Sequence, residues 1–279
     1  MQPFRIASSF LATALLAATA AVAQPAAGVP LAAHRVVYDL TLAGTAGARG
    51  LEAARGRIAF DFLGDNCDGY ALTYRQVTVL EGGEIGTRTS DLRTATFESG
   101  DGKSFRFKTE SDTQGAPAKK LDGDAERNKD GVLAVRLKQP KSDRFSFGEG
   151  PVFPSDHMKR LIAAARAGET TMSIKIFDGS DDGHKVYDTL AVIGRKIEPG
   201  KDDGVEAALR TDAMRKLARW PVTLSYFTGG RGEQVPVYVI SFELYENGVS
   251  RALKLDYGEF ALKGDVTRFE LMPGKDCQR

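Results

Sequence analysis

The chain has 279 residues, a formal net charge of +1 at pH 7, 42% apolar residues and 9% aromatics. A near-neutral balance gives no support for a nucleic-acid partner or for a polybasic membrane surface. The apolar content is that of a folded protein, and the length suffices for one large β domain or two smaller ones.

Residues 1–23 read as a secretory signal and stand apart from the fold. Arg5 supplies a positive n-region, Ile6 to Ala20 form a short apolar run, and Ala21-Val22-Ala23 offer a small-x-small cleavage site before Gln24. The run is too short and alanine-rich to span a bilayer comfortably. No Cys follows the cleavage site, so a lipidated N-terminus is not indicated. Export places Cys67 and Cys277 in an oxidising compartment. There an even pair reads most simply as a disulfide, two buried thiols being the alternative.

Residues 24–33 read as a flexible Pro/Ala leader, and residues 34–279 as one β domain. A first strand begins at His34, with Val36, Tyr38, Leu40 and Leu42 in alternation. Ile58, Phe60 and Phe62 define a second, ending at Gly64-Asp65-Asn66 just before Cys67. A third runs from Tyr70 to about Leu80, and a Thr-rich fourth from Ile85 to Phe97. Asp101-Gly102 turns the chain into Phe105 and Phe107, residues 111–120 are loop-like, and Asp130-Gly131 joins a weak strand to Val132–Leu137. This is a meander of short strands of the kind found in sandwiches and barrels.

One helix interrupts it. Ser155 is the expected N-cap, Asp156 suits the first turn, Met158, Leu161, Ile162 and Ala165 form an apolar stripe for the sheet, and Gly168 stops the helix. Met172, Ile174 and Ile176 restart the strands, followed by the loop 178–183 and a strand from Val186 to Gly194. Residues 198–219 read as a charged, exposed excursion with two helical turns, and Trp220 to Phe227 as a strand. The stretch Val237 to Leu262 then reads as a hairpin about Asn247-Gly248, a type I′ turn pair. Its register faces Tyr238 with Tyr257, Ile240 with Leu255, Phe242 with Leu253 and Leu244 with Arg251. A slip of one residue would turn the apolar set into water. Val266 to Met272 is the last strand.

Chemistry is harder to find. His34, His157 and His184 lie in separate segments with no ligand at i+2 to i+4, so no metal site is expected. Asp178, Ser180 and Asp182 begin like a calcium loop, but positions six and twelve hold Gly183 and Thr189, without the closing Glu. No nucleophile elbow, S-x-x-K or phosphate-cradling glycine loop is present, and no catalytic residue or cofactor is assigned.

Several segments together resemble the periplasmic cell envelope integrity protein EipB family. They are LAAHRVVYDL, the NCDGY around Cys67, FPSDHMKRLIAAARAGE, FDGSDDGHKVYDT, RWPVTLSYF and SFELYENGVSRALKLDYGEFAL, with a Cys near the C-terminus. The resemblance covers most of the chain after the signal; residues 199–219 match nothing in it. It implies a mainly β fold, a single antiparallel open or spiral β-barrel with one inserted helix, similar in architecture to the lipoprotein carriers LolA and LolB. It also implies a disulfide between Cys67 and Cys277, a periplasmic location, and a role in envelope integrity without known catalysis. The expected activity is binding of an envelope lipid, lipoprotein or peptide on a concave sheet. The rivals are a scaffold that binds a protein partner through its outer surface and an envelope hydrolase with an unrecognised site. An apolar groove with aromatics favours the first, a filled interior the second, and a close carboxylate pair the third.

Overall fold

A computed structural model of the chain describes residues 29–45, 50–83, 86–148, 150–229 and 235–273. The signal peptide and Cys277 lie outside the described residues.

Period-two alternation builds the first half. In β1 (His34–Thr45), Val36, Tyr38 and Leu40 are buried on one face. The same pattern runs through β2 (Ala53–Asp65), β3 (Gly69–Gly82), β4 (Gly86–Glu98), β5 (Ser104–Thr113), β6 (Lys119–Arg127) and β7 (Leu133–Gln139). A short β8 (Asp143–Phe147), unforeseen in the sequence, precedes helix α1 (Pro154–Arg166). The chain then forms β9 (Thr171–Ile176), β10 (Tyr187–Ile193), β11 (Arg219–Thr228), β12 (Tyr238–Tyr245), β13 (Ser250–Asp256) and β14 (Phe260–Leu271).

All fourteen strands belong to one antiparallel sheet in the order β8-β7-β6-β5-β4-β3-β2-β1-β14-β13-β12-β11-β10-β9. Every neighbour is consecutive in sequence except β1 and β14, so the first strand closes on the last. His34 faces Leu271 on one side and Phe62 on the other. The two free edges are β8 and β9, as in an open, coiled barrel. Each is guarded. Val152 runs beside β9, its N–H donating to Lys175 O at 2.8 Å while its carbonyl accepts from Phe177 N at 2.9 Å. His184, from the loop before β10, meets β8: its Nε2 lies 3.0 Å from Asp143 Oδ2 and its ring stacks on Phe145 at 4.5 Å.

The interior holds two apolar clusters. The larger joins β1–β3 and β10–β14 to Leu161, Ile162 and Ala165 of α1, the expected stripe. The smaller packs Phe105, Phe107, Leu133, Val135 and Leu137 against Phe153 and Phe177.

Four expectations need correction. The leader is not flexible throughout, because Val29, Leu31 and Ala33 are buried; Leu31 packs at the Asn247-Gly248 turn. Helix α1 is not capped by Ser155: Phe153 is the N-cap and has no side-chain cap bond. The excursion before β11 is not exposed throughout. Val205, Leu209, Met214 and Ala218 fall on its inner side and are buried, with helical turns at Ala207–Leu209 and α2 (Asp212–Arg215). Its Glu206 joins a buried ion network, 2.6 Å from Arg251 Nε, while Glu243 binds both Arg251 and Arg219.

The hairpin is the fourth. Tyr245 N donates to Val249 O and Gly248 N to Tyr245 O. Gly248 has φ +91°, and Asn247 is not among the positive-φ residues. The connection is thus a three-residue loop ending in a left-handed Gly, not a type I′ turn. It slips the register by one, pairing Leu244 with Ser250 and Glu243 with Arg251. A bulge at Ala252, φ +50°, takes the slip back, so Ile240 faces Leu255 as expected. The second arm also ends early, at Asp256, and β14 starts at Phe260 rather than Val266.

Candidate binding cavity

Side chains on β4 alternate so that Leu92, Thr94, Thr96 and Glu98 share the inward face. A carboxylate therefore ends an otherwise neutral stripe. Glu98 is 3% exposed and sits opposite Phe105, which is fully buried. Its partners come from α1: Oε2 accepts from Ser155 N at 2.7 Å and Oε1 from Asp156 N at 3.1 Å. These are orphan donors of the helix start, and the helix dipole favours a negative charge there. Burial nevertheless dominates. It lifts the Glu98 carboxyl to about 7, against the opposing pull of the two N–H bonds and of Lys159.

Beside Glu98 lies a cavity of about 170 Å³ between β2–β5, the start of α1 and the Asn247-Gly248 turn. Its walls are mainly apolar: Phe60 and Phe62 from β2, Leu72 from β3, Phe105 from β5, Met158 from α1, and Leu31 from the segment before β1. Phe62 stacks on Tyr70 at 5.0 Å, and Lys159 Nζ lies 4.7 Å over the other aromatic wall, Tyr70. His34 closes the side nearest β1. Its ring lies 5.5 Å from Phe60, 5.9 Å from Phe62 and 6.2 Å from Phe269. Burial holds its pKa below the ordinary value, the bond to Ala32 pulling the other way.

The three histidines serve different places. His34 lines the cavity, His157 is buried in α1 with Nε2 3.2 Å from Thr189 Oγ1, and His184 sits at the β8 edge. Burial depresses His157 to about 4. Among the described residues no group of three or more His, Cys, Asp or Glu could hold a metal ion. In the loop 178–183, Asp178 Oδ1 accepts from Ser180 N, and Asp182 Oδ1 from His184 N, both at 2.9 Å. Those oxygens shape turns. Cys67 lies in the β2–β3 turn, where its N–H donates to Asp65 Oδ1 at 2.8 Å.

Sequence reasoning missed Glu98 and the cavity. The one available signal was an acid on the inward parity of β4; what surrounds it comes from segments far apart in the chain.

The family model described as EipB-like matches residues 25–273. The chain belongs to the EipB-like family. Family membership accords with the fold already described. The chain is 35% identical over 256 residues to the cell envelope integrity protein EipB of Brucella abortus (strain 2308), covering 90% of this chain and 88% of the relative. A crystal structure of a beta-barrel-like protein of a domain of unknown function, also from Brucella abortus, superposes with a TM-score of 0.79 at 34% identity. That match covers 88% of this chain and 100% of the other. The family resemblance extends across the excursion before β11 as well, which lies inside the matched residues.

Proposed function

We propose that this protein is exported to the periplasm and helps maintain the cell envelope as a non-enzymatic binding protein. It seats an apolar group of an envelope lipid, lipoprotein or peptide in the cavity between α1 and β2–β5. The observation that carries this reading is the cavity itself, about 170 Å³ with aromatic and aliphatic walls. Apolar space of this kind, with a few converging polar groups, is the usual form of a ligand site. The relative's name supports the envelope role. Among the interior carboxylates, Glu206 and Glu243 are engaged by Arg251 and Arg219, and Glu98 by the N–H groups of Ser155 and Asp156, which favours binding over acid–base hydrolysis.

The reading includes a Cys67–Cys277 disulfide. His34 aligns Phe62 of β2 with Leu271 of β14, two strand spacings apart, or about 10 Å. Cys67 follows Phe62 through a tight turn, and the chain leaves β14 at that same end of the sheet towards Cys277.

Thr96→Phe would fill the cavity from the β4 side. A strain lacking the gene should regain detergent resistance from the wild-type copy and not from a Thr96→Phe copy of equal periplasmic abundance. Full rescue by the filled variant would overturn the cavity reading.

A further inference from the structure

His34 is 3% exposed, yet only one of its ring nitrogens has a partner. Nδ1 lies 2.7 Å from Ala32 O. A carbonyl only accepts, so Nδ1 carries the proton and Nε2 presents a lone pair. Among the described residues nothing donates to Nε2, and no side-chain nitrogen or oxygen sealed from solvent lacks a partner. Nε2 is therefore accessible although the residue is nearly enclosed, and the space His34 lines is the cavity. Nε2 thus offers the cavity an acceptor that the protein itself leaves open, one that a bound hydroxyl can engage in place of solvent.

Two further features narrow what can answer it. A cavity near 150 Å³ accepts a benzene-sized molecule, so about 170 Å³ encloses one ring or a short branched chain rather than the whole of an acyl tail. The walls are dry enough to disfavour charge on the ionisable groups that line them, raising Glu98 and Tyr70 and lowering His34. Glu98 also already spends one bond on each oxygen at the start of α1. The occupant is thus neutral, and its donor belongs at His34.

We infer that the cavity recognises a neutral, ring-sized apolar group bearing one hydroxyl, and that His34 Nε2 accepts the bond from that hydroxyl. This rests on the cavity reading above and adds selectivity to it. Leu31, Phe60 and Phe62 supply the apolar contact; His34 distinguishes a hydroxylated occupant from its hydrocarbon counterpart.

Phenol and toluene are a matched pair of probes for the wild-type protein at pH 7.5. Titrations followed by NMR should give phenol about fivefold tighter binding, the net gain of one hydrogen bond exchanged with solvent. The ¹⁵N resonance of His34 Nε2 should move with phenol and stay with toluene. His34→Phe keeps a stacked ring and should bind both probes alike. If that variant does not fold, the wild-type ratio and the Nε2 resonance decide alone. Equal affinity for the two probes, or an Nε2 signal indifferent to phenol, would overturn the assignment while leaving the cavity reading intact. Failure of both probes to bind would remove both readings.

Discussion

Glu98 and His157 are two buried titratable groups with opposite consequences. Glu98 is raised by burial from 4.5 to about 7, so the folded protein holds a proton that the unfolded chain has released, and stability falls as pH rises through that window. His157 is lowered by burial from 6.5 to about 4, so the unfolded chain binds the extra proton, and stability falls as pH drops through that window. Each shift corresponds to about 3 kcal/mol across its full range. Between 4.5 and 6.5 the two slopes oppose one another. The wild-type denaturation midpoint should therefore change little there. Glu98→Gln should expose the His157 slope and gain stability as pH rises; His157→Gln, which can still donate to Thr189, should expose the Glu98 slope and lose it. Midpoint curves that stay parallel for all three proteins would show that neither group titrates as its burial requires. Glu98 also shows the limit of reading a cap from sequence. Ser155 has the right chemistry but stands inside the first turn, and the free donors there, its own N–H and that of Asp156, are met by a side chain brought in from β4.

At the scale of elements, the β12–β13 hairpin joins local turn chemistry to a distant packing contact. Gly248 has φ +91°, and a Cβ placed there would lie 2.9 Å from Leu31 Cδ2. Gly248→Ala should therefore cost about 1–3 kcal/mol, part from backbone strain and part from the collision. Leu31→Ala removes the collision partner. In a double-mutant cycle by chemical denaturation, the second substitution should cost less in the Gly248→Ala background than alone. Strict additivity would mean that Leu31 does not press on the turn. The hairpin pattern was legible because alternation and an Asn-Gly pair occur within a few residues of each other. The loop length was not legible: two-residue and three-residue hairpins use the same residues, and the one-residue slip is repaired only at Ala252. The segment before β11 failed for a related reason. Its four buried residues are diluted by charges, one of which, Glu206, answers Arg251 across the interior.

For the whole molecule the central fact is that β1 lies between β2 and β14. The first and last strands meet in the middle of the sheet, and the free edges belong to β8 and β9, from the middle of the sequence. The proposed disulfide would staple the β2–β3 turn to the tail beyond β14, across the strands that close the fold. Cys67→Ser and Cys277→Ser should destabilise alike, by about 2–4 kcal/mol, and the double variant should be no worse than either one. Peptide mapping under non-reducing conditions checks the bond directly; two free thiols in periplasmic material would refute it. The edges are held by other means, Val152 along β9 and the His184–Asp143 contact at β8, so loss of the bond should leave their amide protection unchanged.

By itself the sequence determined most of the strands and of their turns, the one long helix and the family, because each leaves a signature within ten or twenty residues. Period-two alternation says that a face is buried, and Gly, Asp and Asn say where the chain reverses. Only the tertiary structure decided what each buried face meets. It placed β1 against β14, put Leu31 under the hairpin turn, turned the charged excursion inward, and set Glu98 at the start of α1 beside His34. These are pairings between segments far apart in the chain, and their stabilisation comes from shape and burial at contacts that no local pattern encodes.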